Sequence, residues 1–225
     1  LYPKLRISGR GQMRKFTESA LEKLNSDSES IAPQGASLRS EARTSLPEST
    51  VMQWIRDETG SADIQIDGKK FEYHFRHIER HFYVRLIDTT NSTVSEVAYI
   101  YFRIDRRNNS AVLINGDPTF EMAKKVRAPF LAGAKPLQAE WALYVDPSYR
   151  NQYRGIGSSL LGIALRLARE EQVQRFYIVK APDPAFFERA GFERERGTQN
   201  LVFDMDRYEE KTKLVPELTF QPRRS

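Results

Sequence analysis

The chain has 225 residues, of which 40% are hydrophobic and 29% charged, and this length supports one domain with an extension. Its 35 basic and 30 acidic side chains give a net charge of +5. That balance indicates either an evenly charged, solvated surface or attraction to phosphates, RNA or an acidic partner. The absence of cysteine excludes disulfides, thiolate metal ligands and a cysteine acyl-enzyme.

No segment of the sequence has the character of a membrane span or a signal peptide. No apolar run approaches the ~20 residues that cross a bilayer, and residues 1–25 are basic without an apolar stretch. The sequence therefore predicts a cytoplasmic protein without membrane contact. The chain starts at Leu1, which is typical of a processed form or of a piece of a longer protein.

Residues 1–60 are predicted to form an N-terminal helical region. A short strand at 5–8 precedes an amphipathic helix at 11–25, and a second helix runs from Ser49 or Thr50 to Thr59. Between them, residues 26–48 are rich in Ser, Glu and Arg and predict a flexible loop. The alternative is that the first fifty residues form a disordered arm.

Residues 62–115 change to the alternating pattern of β-strands. Two runs, 64–66 and 71–75, flank Asp67-Gly68, the dipeptide typical of a tight hairpin turn. Further strands are predicted at 81–88, 94–105 and 111–115, and the short polar turns between them favour an antiparallel meander. A helix at 119–126 and an irregular loop at 127–136 follow, in a position to cover a pocket.

Residues 141–161 predict a strand, a glycine turn and a helix in immediate succession. The strand at 141–145 stops at Asp146-Pro147, because proline has no amide for a strand ladder. Apolar residues at helical spacing begin at Ile156 and end near Glu170. Gly155 and Gly157 allow a tight turn and close approach of a ligand, and the helix start offers unpaired N–H groups. This turn is therefore a candidate phosphate site, although neither the P-loop nor the dinucleotide pattern fits.

The segment after this helix has a second strand-to-helix pattern. Residues 176–179 predict a buried strand, and 185–190 a short helix closed by Gly191. A last strand is predicted at 200–205. The charged tail at 209–225 either packs along an edge or extends into solvent.

Three histidines, His74, His77 and His81, are separated by three and four positions. On a helix this spacing would present one face and a candidate metal site. The alternating aromatic residues around them favour strands and a bend instead, in which the imidazoles diverge. We therefore expect no metal site.

Gln152, Gly155 and Gly157 resemble motif A of the GNAT superfamily of acyl-CoA-dependent N-acyltransferases, and Phe186 to Phe192 resembles its motif B. The resemblance covers about residues 139–192. It implies an α+β fold with a mostly antiparallel mixed sheet flanked by helices, here over residues 61–208. It also implies acetyl-CoA as co-substrate and no metal.

The resemblance implies roles for individual residues. Glu140 corresponds best to the carboxylate base, with a solvent-facing glutamate as the alternative, and Asp146 is a weaker candidate. A backbone N–H near Tyr144 or Val145 would contact the thioester oxygen. The pyrophosphate would lie on the amides of Gln152, Tyr153, Arg154, Gly155, Ile156, Gly157 and Ser158, with Arg150 or Arg154 near the adenosine phosphates. Phe187 stands where the family commonly has a tyrosine that protonates the departing thiolate, so no general acid is assigned.

The predicted function is transfer of an acetyl group from acetyl-CoA directly to an amine. The acceptor classes open to this family are protein lysines or N-termini, aminoacyl-tRNA and small amines, and fold does not select among them. Basic charge favours a macromolecular acceptor. The alternative is a catalytically silent module that binds CoA, nucleic acid or an acidic protein. The sequence predicts no oligomeric state.

Overall fold

The computed structural model describes residues 46–92, 94–115, 141–210 and 220–223. These residues belong to one compact unit, Glu41–Ser225. Several sequence predictions lie outside the described residues, namely the strand at 5–8, the helix at 11–25, most of the loop at 26–48, the helix at 119–126 and the loop at 127–136.

The first described helix, α1, spans Glu48–Asp57, which confirms the predicted helix but places its end two residues earlier. Glu58 takes a left-handed conformation with φ of 56° and ends the helix. Thr59, predicted to be helical, instead begins strand β1 (Thr59–Ile66). Its β-branched side chain suits a strand, and its pairing with the following strand outweighs another half-turn of helix.

The predicted hairpin joins β1 to β2 (Lys69–Ile78) in antiparallel register. Asp67 and Gly68 form its two-residue turn, with φ of 52° and 74°. Positive φ at both positions is the type I′ geometry that matches strand twist, and aspartate followed by glycine tolerates it best. The hairpin is longer than predicted because its polar outer residues do not interrupt the ladder.

The next three strands confirm the predicted meander, with ends within one residue of prediction. They are β3 (His81–Asp88), β4 (Ser95–Asp105) and β5 (Ser110–Ile114), each antiparallel to the one before. The register of β3 and β4 shifts between Leu86 and Ile87.

The second half of the described chain alternates helices and strands. Its elements are β6 (Leu143–Val145), α2 (Pro147–Gln152), β7 (Tyr153–Arg154), α3 (Ile156–Glu170), β8 (Arg175–Val179), α4 (Pro184–Arg189), β9 (Glu193–Arg194), β10 (Leu201–Asp204) and β11 (Gln221–Pro222).

Two local predictions in this half were wrong. The strand expected from Trp141 begins only at Leu143, and Trp141 is 44% exposed. The segment expected to be a plain turn contains the helix α2, because Pro147 fits the first helical position and Asp146 caps it. The Asp146 carboxylate accepts a hydrogen bond from the Ser148 amide at 2.9 Å.

Nine described strands form one mixed sheet in the order β1-β2-β3-β4-β5-β8-β10-β9, with β6 paired to β4 off this path. Among these pairs, only β5 with β8 is parallel. This arrangement confirms the predicted α+β class with a mostly antiparallel sheet. A separate short ladder joins β7 to β11.

The helices α1 and α3 pack against each other and on the sheet. Helix α3 buries an apolar face that includes Leu160, Leu161 and Ile163. The sheet contributes phenylalanine side chains, and Trp54 of α1 stacks on Phe75 with ring centroids 5.7 Å apart. Burial of this apolar area holds the start of α3 against β6, where the candidate site lies.

Candidate functional site

Two short strands, β5 and β6, pair with different parts of the same edge of β4. β5 pairs with Arg103–Asp105 of β4, and β6 pairs with Ala98–Ile100, both antiparallel. β5 then pairs in parallel with β8 on its other side. Among the described strands, β6 pairs only with β4. The sheet therefore opens into a wedge between β6 and β8.

The register of β6 decides which of its backbone groups face this wedge. The Tyr101 amide donates to the Ala142 carbonyl at 2.7 Å, and the Asp146 amide donates to the Val97 carbonyl at 2.9 Å. Because hydrogen-bonded pairs alternate along an antiparallel ladder, Tyr144 bonds to β4. The N–H and C=O groups of Leu143 and Val145 therefore point to the open edge. Of the two expected oxyanion donors, Val145 has its amide on the wedge side.

Asn115 links the two sides of the wedge at its narrow end. Its Nδ2 donates to the carbonyls of Val179 and Lys180 at 3.4 and 3.3 Å, and its Oδ1 accepts from the Ala142 amide at 2.9 Å. The side chain is 2% exposed. The Asn115 side chain therefore bridges β6 and β8 by hydrogen bonds at the point where the two strands are too far apart to pair directly. Sequence reasoning did not identify it, because its role depends on two strands that are distant in the chain.

The glycine turn leads directly into α3. Gly155 has φ of 89°, a left-handed conformation that glycine adopts without strain, and it caps the helix. The first amides of a helix have no intrahelical acceptor, so those of Ile156, Gly157 and Ser158 are available to an anion. Ser159 holds this turn in place through a buried hydrogen bond of 2.8 Å between its hydroxyl and that of Tyr73.

The wedge and the start of α3 form one cleft of about 700 Å³. It is lined by Asn115, Trp141, Leu143, Tyr144, Val145, Arg150, Tyr153, Arg154, Gly155, Ile156, Gly157, Ser158, Pro182, Asp183, Phe186, Phe187, Arg189 and Arg223. Of the predicted cofactor-binding residues, Gln152 is missing from this lining. Its side chain bonds instead to the Ser148 carbonyl and to Lys69.

One amide near the start of the predicted cradle already has a partner within the chain. The Tyr153 amide donates to the Tyr149 carbonyl at the end of α2. Of the amides in the predicted cradle, that of Tyr153 therefore already has an acceptor within the chain. Because α2 was not predicted, its hydrogen bond with the Tyr153 amide could not be expected from the sequence.

The cleft is electropositive. Its described lining contains four arginines, Arg150, Arg154, Arg189 and Arg223, and one acidic residue, Asp183. Arg150 donates from Nη2 to the Val145 carbonyl at 3.1 Å, so it lies beside the open edge of β6. A concave, cationic cleft next to a helix start attracts anionic ligands such as phosphates.

Two phenylalanines form the apolar part of the cleft beside β8. Phe186 and Phe187 meet edge to face at 4.9 Å, and Phe187 is 3% exposed. Helix α4 carries both and is capped by Asp183, whose carboxylate accepts a hydrogen bond from the Phe186 amide at 3.2 Å. Phe187, at the position where the family commonly has a tyrosine, therefore presents an apolar ring that cannot donate a proton.

Helix α2 is anchored to the sheet through a buried carboxylate. Tyr149 donates from its hydroxyl to Asp88 at 2.9 Å, and the Thr90 amide donates to the same carboxylate at 2.9 Å. Burial alone would raise the pKa of Asp88, but these hydrogen bonds and Lys69 hold it below the ordinary value of 3.8. The pKa of Tyr149 is raised, first by burial and then by its bond to Asp88.

We expect Asp88→Asn to lower the free energy of unfolding by about 1 kcal/mol at neutral pH. A carboxylate with a depressed folded-state pKa stabilises above its unfolded-state pKa, and the effect is lost as pH falls through the folded-state value. The difference between variant and wild type should therefore shrink below about pH 4. Urea unfolding across pH 2.5–7 measures this difference in the free energy of unfolding. Asp63→Asn, at an exposed carboxylate, is the control. A stability difference for Asp88→Asn that does not change with pH would contradict the interpretation.

The histidines lie on strands around a bend, as predicted. His74 and His77 belong to β2 and His81 to β3. His77 bonds to the Glu79 carbonyl at 2.7 Å, and His81 bonds to the Tyr101 hydroxyl at 2.6 Å. The described residues contain no cluster of three or more side chains suited to a metal ion.

Glu140, the predicted base, lies outside the described residues. Asp146, the weaker candidate, caps α2 through Ser148 and is not among the residues that line the cleft. In the part of the chain that the structure describes, no helix is long and apolar enough to cross a bilayer.

Comparison with known proteins gives a match over the site. Residues 120–194 match a family model described as an acetyltransferase (GNAT) domain. In the described part, this range covers β6 to β9 and thus most of the cleft. A solved structure of nourseothricin acetyltransferase matches with 15% identity and a TM-score of 0.34, over 81% of this chain and 97% of that chain. No curated protein sequence matches the chain.

Proposed function

We propose that the chain, whose residues 120–194 match the model of an acetyltransferase (GNAT) domain, transfers an acetyl group from acetyl-CoA directly to an amine. The observation that carries the proposal is the single cleft that joins the open edge of β6 to the free amides at the start of α3. The open edge of β6 suits an extended ligand that carries amide groups, and the amides at the start of α3 suit a phosphate.

The lining of the cleft offers groups that suit the pyrophosphate, the pantetheine arm and the thioester of acyl-CoA. The pyrophosphate would bind the amides of Gly155 to Ser158, with Arg150 beside them. The pantetheine arm carries two amides and would pair with the open edge of β6, as an added strand pairs with a sheet edge. Phe186 and Phe187 would exclude water near the thioester, because both are apolar and line the wedge.

The reaction needs a neutral amine and a stabilised thioester oxygen. The amine nitrogen attacks the thioester carbon, the C–S bond breaks, and CoA leaves as a thiolate while the amine loses a proton. The Val145 amide would donate to the developing oxyanion. Glu140 would accept the proton from the amine, directly or through water. Since Phe187 carries no hydroxyl, the thiolate would take its proton from solvent.

We further propose a macromolecular acceptor, either an amine on a protein or aminoacyl-tRNA. A net charge of +5 and a pI near 9.4 support attraction to RNA or acidic protein surfaces. The second candidate is a catalytically silent module, which the apolar Phe187 favours because the family's proton donor is missing there.

The test is isothermal titration of the protein with acetyl-CoA, followed by thiol release with three acceptor pools: proteins, aminoacyl-tRNA and small amines. Binding with release from a protein or RNA pool is the expected result. Equal turnover of small amines would overturn the macromolecular acceptor. Binding without release from any pool would favour the silent module, and a failure to bind would overturn the cofactor site.

We expect Glu140→Gln to lower turnover roughly 100-fold, because general-base catalysis contributes about 10²- to 10⁴-fold. Affinity for acetyl-CoA should stay within about twofold, since the role assigned to Glu140 is proton transfer. The pH dependence of turnover should also lose its acidic limb. Glu170→Gln, at the exposed end of α3, is the matched control. An unchanged pH–rate profile would remove Glu140 as the base.

A further inference from the structure

Residues 220–223 form a segment that returns to the cleft from the far end of the described chain; we name it the β11 segment. Gln221 and Pro222 pair antiparallel with Arg154 and Tyr153 of β7. The Arg223 amide extends this ladder by donating to the Gln152 carbonyl at 2.7 Å. The segment is therefore fixed by backbone hydrogen bonds to the same turn that begins the candidate phosphate site.

Phe220 anchors the β11 segment in the core. It is 2% exposed and meets Phe71 and Tyr153 edge to face, with ring centroids 5.3 and 5.7 Å apart. A buried aromatic residue contributes about 1.5–3 kcal/mol. The segment is thus held by apolar packing as well as by its ladder, and it does not depend on the side chain of Arg223.

Arg223 is exposed and lines the cleft, although it is distant in sequence from every other arginine there. Its Nε donates to the Arg150 carbonyl at 3.0 Å, which fixes the guanidinium plane. Its Nη atoms bond to no described residue. The neighbouring Arg154 is held by the β11 segment as well, through a 2.8 Å hydrogen bond from Nη2 to Gln221.

The cationic side chains around the cleft are held at two adjoining places, which meet where Arg223 bonds to the Arg150 carbonyl. The amides at the start of α3 and Arg150 lie at the open edge of β6, whereas Arg154 and Arg223 lie where β7 meets β11. CoA carries two phosphate groups of different kinds, an internal pyrophosphate and a terminal 3′-phosphate monoester. A monoester has a charge of about −1.5 to −2 at neutral pH and three acceptor oxygens, and arginine binds it by paired hydrogen bonds.

We propose that Arg223 binds the 3′-phosphate of the acyl-CoA, an inference that rests on the proposed function. The β11 segment then completes the cofactor site, and it makes the protein select CoA thioesters over thioesters of pantetheine that lack this phosphate. The side chain acts through its Nη atoms, which bond to no residue that the structure describes, while its Nε bond to the Arg150 carbonyl fixes its direction.

The experiment compares the binding of CoA and 3′-dephospho-CoA by isothermal titration. Wild type should bind CoA roughly tenfold more tightly, as expected for an exposed charge-assisted contact. Arg223→Ala should bind the two ligands about equally, losing affinity for CoA alone. Arg223→Lys should retain part of the preference, because lysine keeps the charge but not the paired geometry.

Arg56→Ala is the matched control, since it removes one exposed arginine from the end of α1, outside the cleft. It should leave both affinities unchanged, and thermal unfolding should be the same for all variants. If wild type binds neither ligand, the proposed function fails and the inference falls with it. Suppose instead that wild type binds CoA. If Arg223→Ala then keeps the preference for CoA, or lowers the affinity for both ligands equally, the inference alone is overturned.

Discussion

Gly157→Glu should abolish binding of acyl-CoA without unfolding the protein. A Cβ atom at Gly157 would lie 3.6 Å from Phe186 and from Val145, which is ordinary contact, so the rest of the side chain must enter the cleft. A carboxylate about 4 Å from a phosphate costs about 4 kcal/mol at an effective dielectric of about 20. We therefore expect at least a roughly 100-fold loss of affinity in isothermal titration.

The fold should tolerate this change for a separate reason. Gly157 lies in the first turn of α3, where a negative side chain interacts favourably with the helix dipole. Gly157→Ala is the control, because its methyl group fits the same space without charge and should weaken binding only a few-fold. Retained affinity in the glutamate variant would mean that the start of α3 does not hold the phosphate.

Asn115→Leu should be the most destabilising substitution at the cleft. It removes three side-chain hydrogen bonds and leaves the Ala142 amide and the Lys180 carbonyl without this partner, whereas the Val179 carbonyl keeps its bond from the Asn115 amide. A buried polar group left unpaired costs about 1–3 kcal/mol. We expect a loss of roughly 3 kcal/mol in urea unfolding, with an unchanged denaturant slope, and weaker acyl-CoA binding because the strands are no longer tied together.

Asn108→Leu provides the same substitution at an exposed asparagine in the turn after β4. That side chain bonds only to Asp105 among the described residues, at 2.8 Å. Exposed hydrogen bonds contribute little, so the control should lose less than about 1 kcal/mol. If the two variants are equally stable, Asn115 is not the link that holds the wedge.

The local pattern of the chain was sufficient for the hairpin turn, the meander strands and helix α3. The Asp67-Gly68 turn follows from residue types that adopt positive φ, and the three strands of the meander follow from alternating apolar residues and polar turns. Helix α3 follows from its apolar period, and its left-handed Gly155 cap from the absence of a Cβ atom. Each of these signals lies within a few neighbouring residues.

Prediction failed where two local signals competed. Thr59 was assigned to the end of the helix whose apolar side carries Val51, Trp54 and Ile55, yet pairing across the hairpin placed it in a strand. Asp146-Pro147 was interpreted as the end of a strand only, although the same pair also starts helix α2. In both cases the outcome depended on which hydrogen bonds the rest of the fold could supply.

By itself, the sequence determined the order of the meander strands, the glycine turn before α3 and the apolar ring at Phe187, because each depends on residues adjacent in the chain. Only the tertiary structure decided which backbone groups of β6 face the wedge, since that depends on its register with β4. It also brought Asn115 and Arg223 into the cleft through contacts with β6, β8 and β7. Such long-range pairings leave no periodic signal in the sequence, so they appear only once the chain has folded.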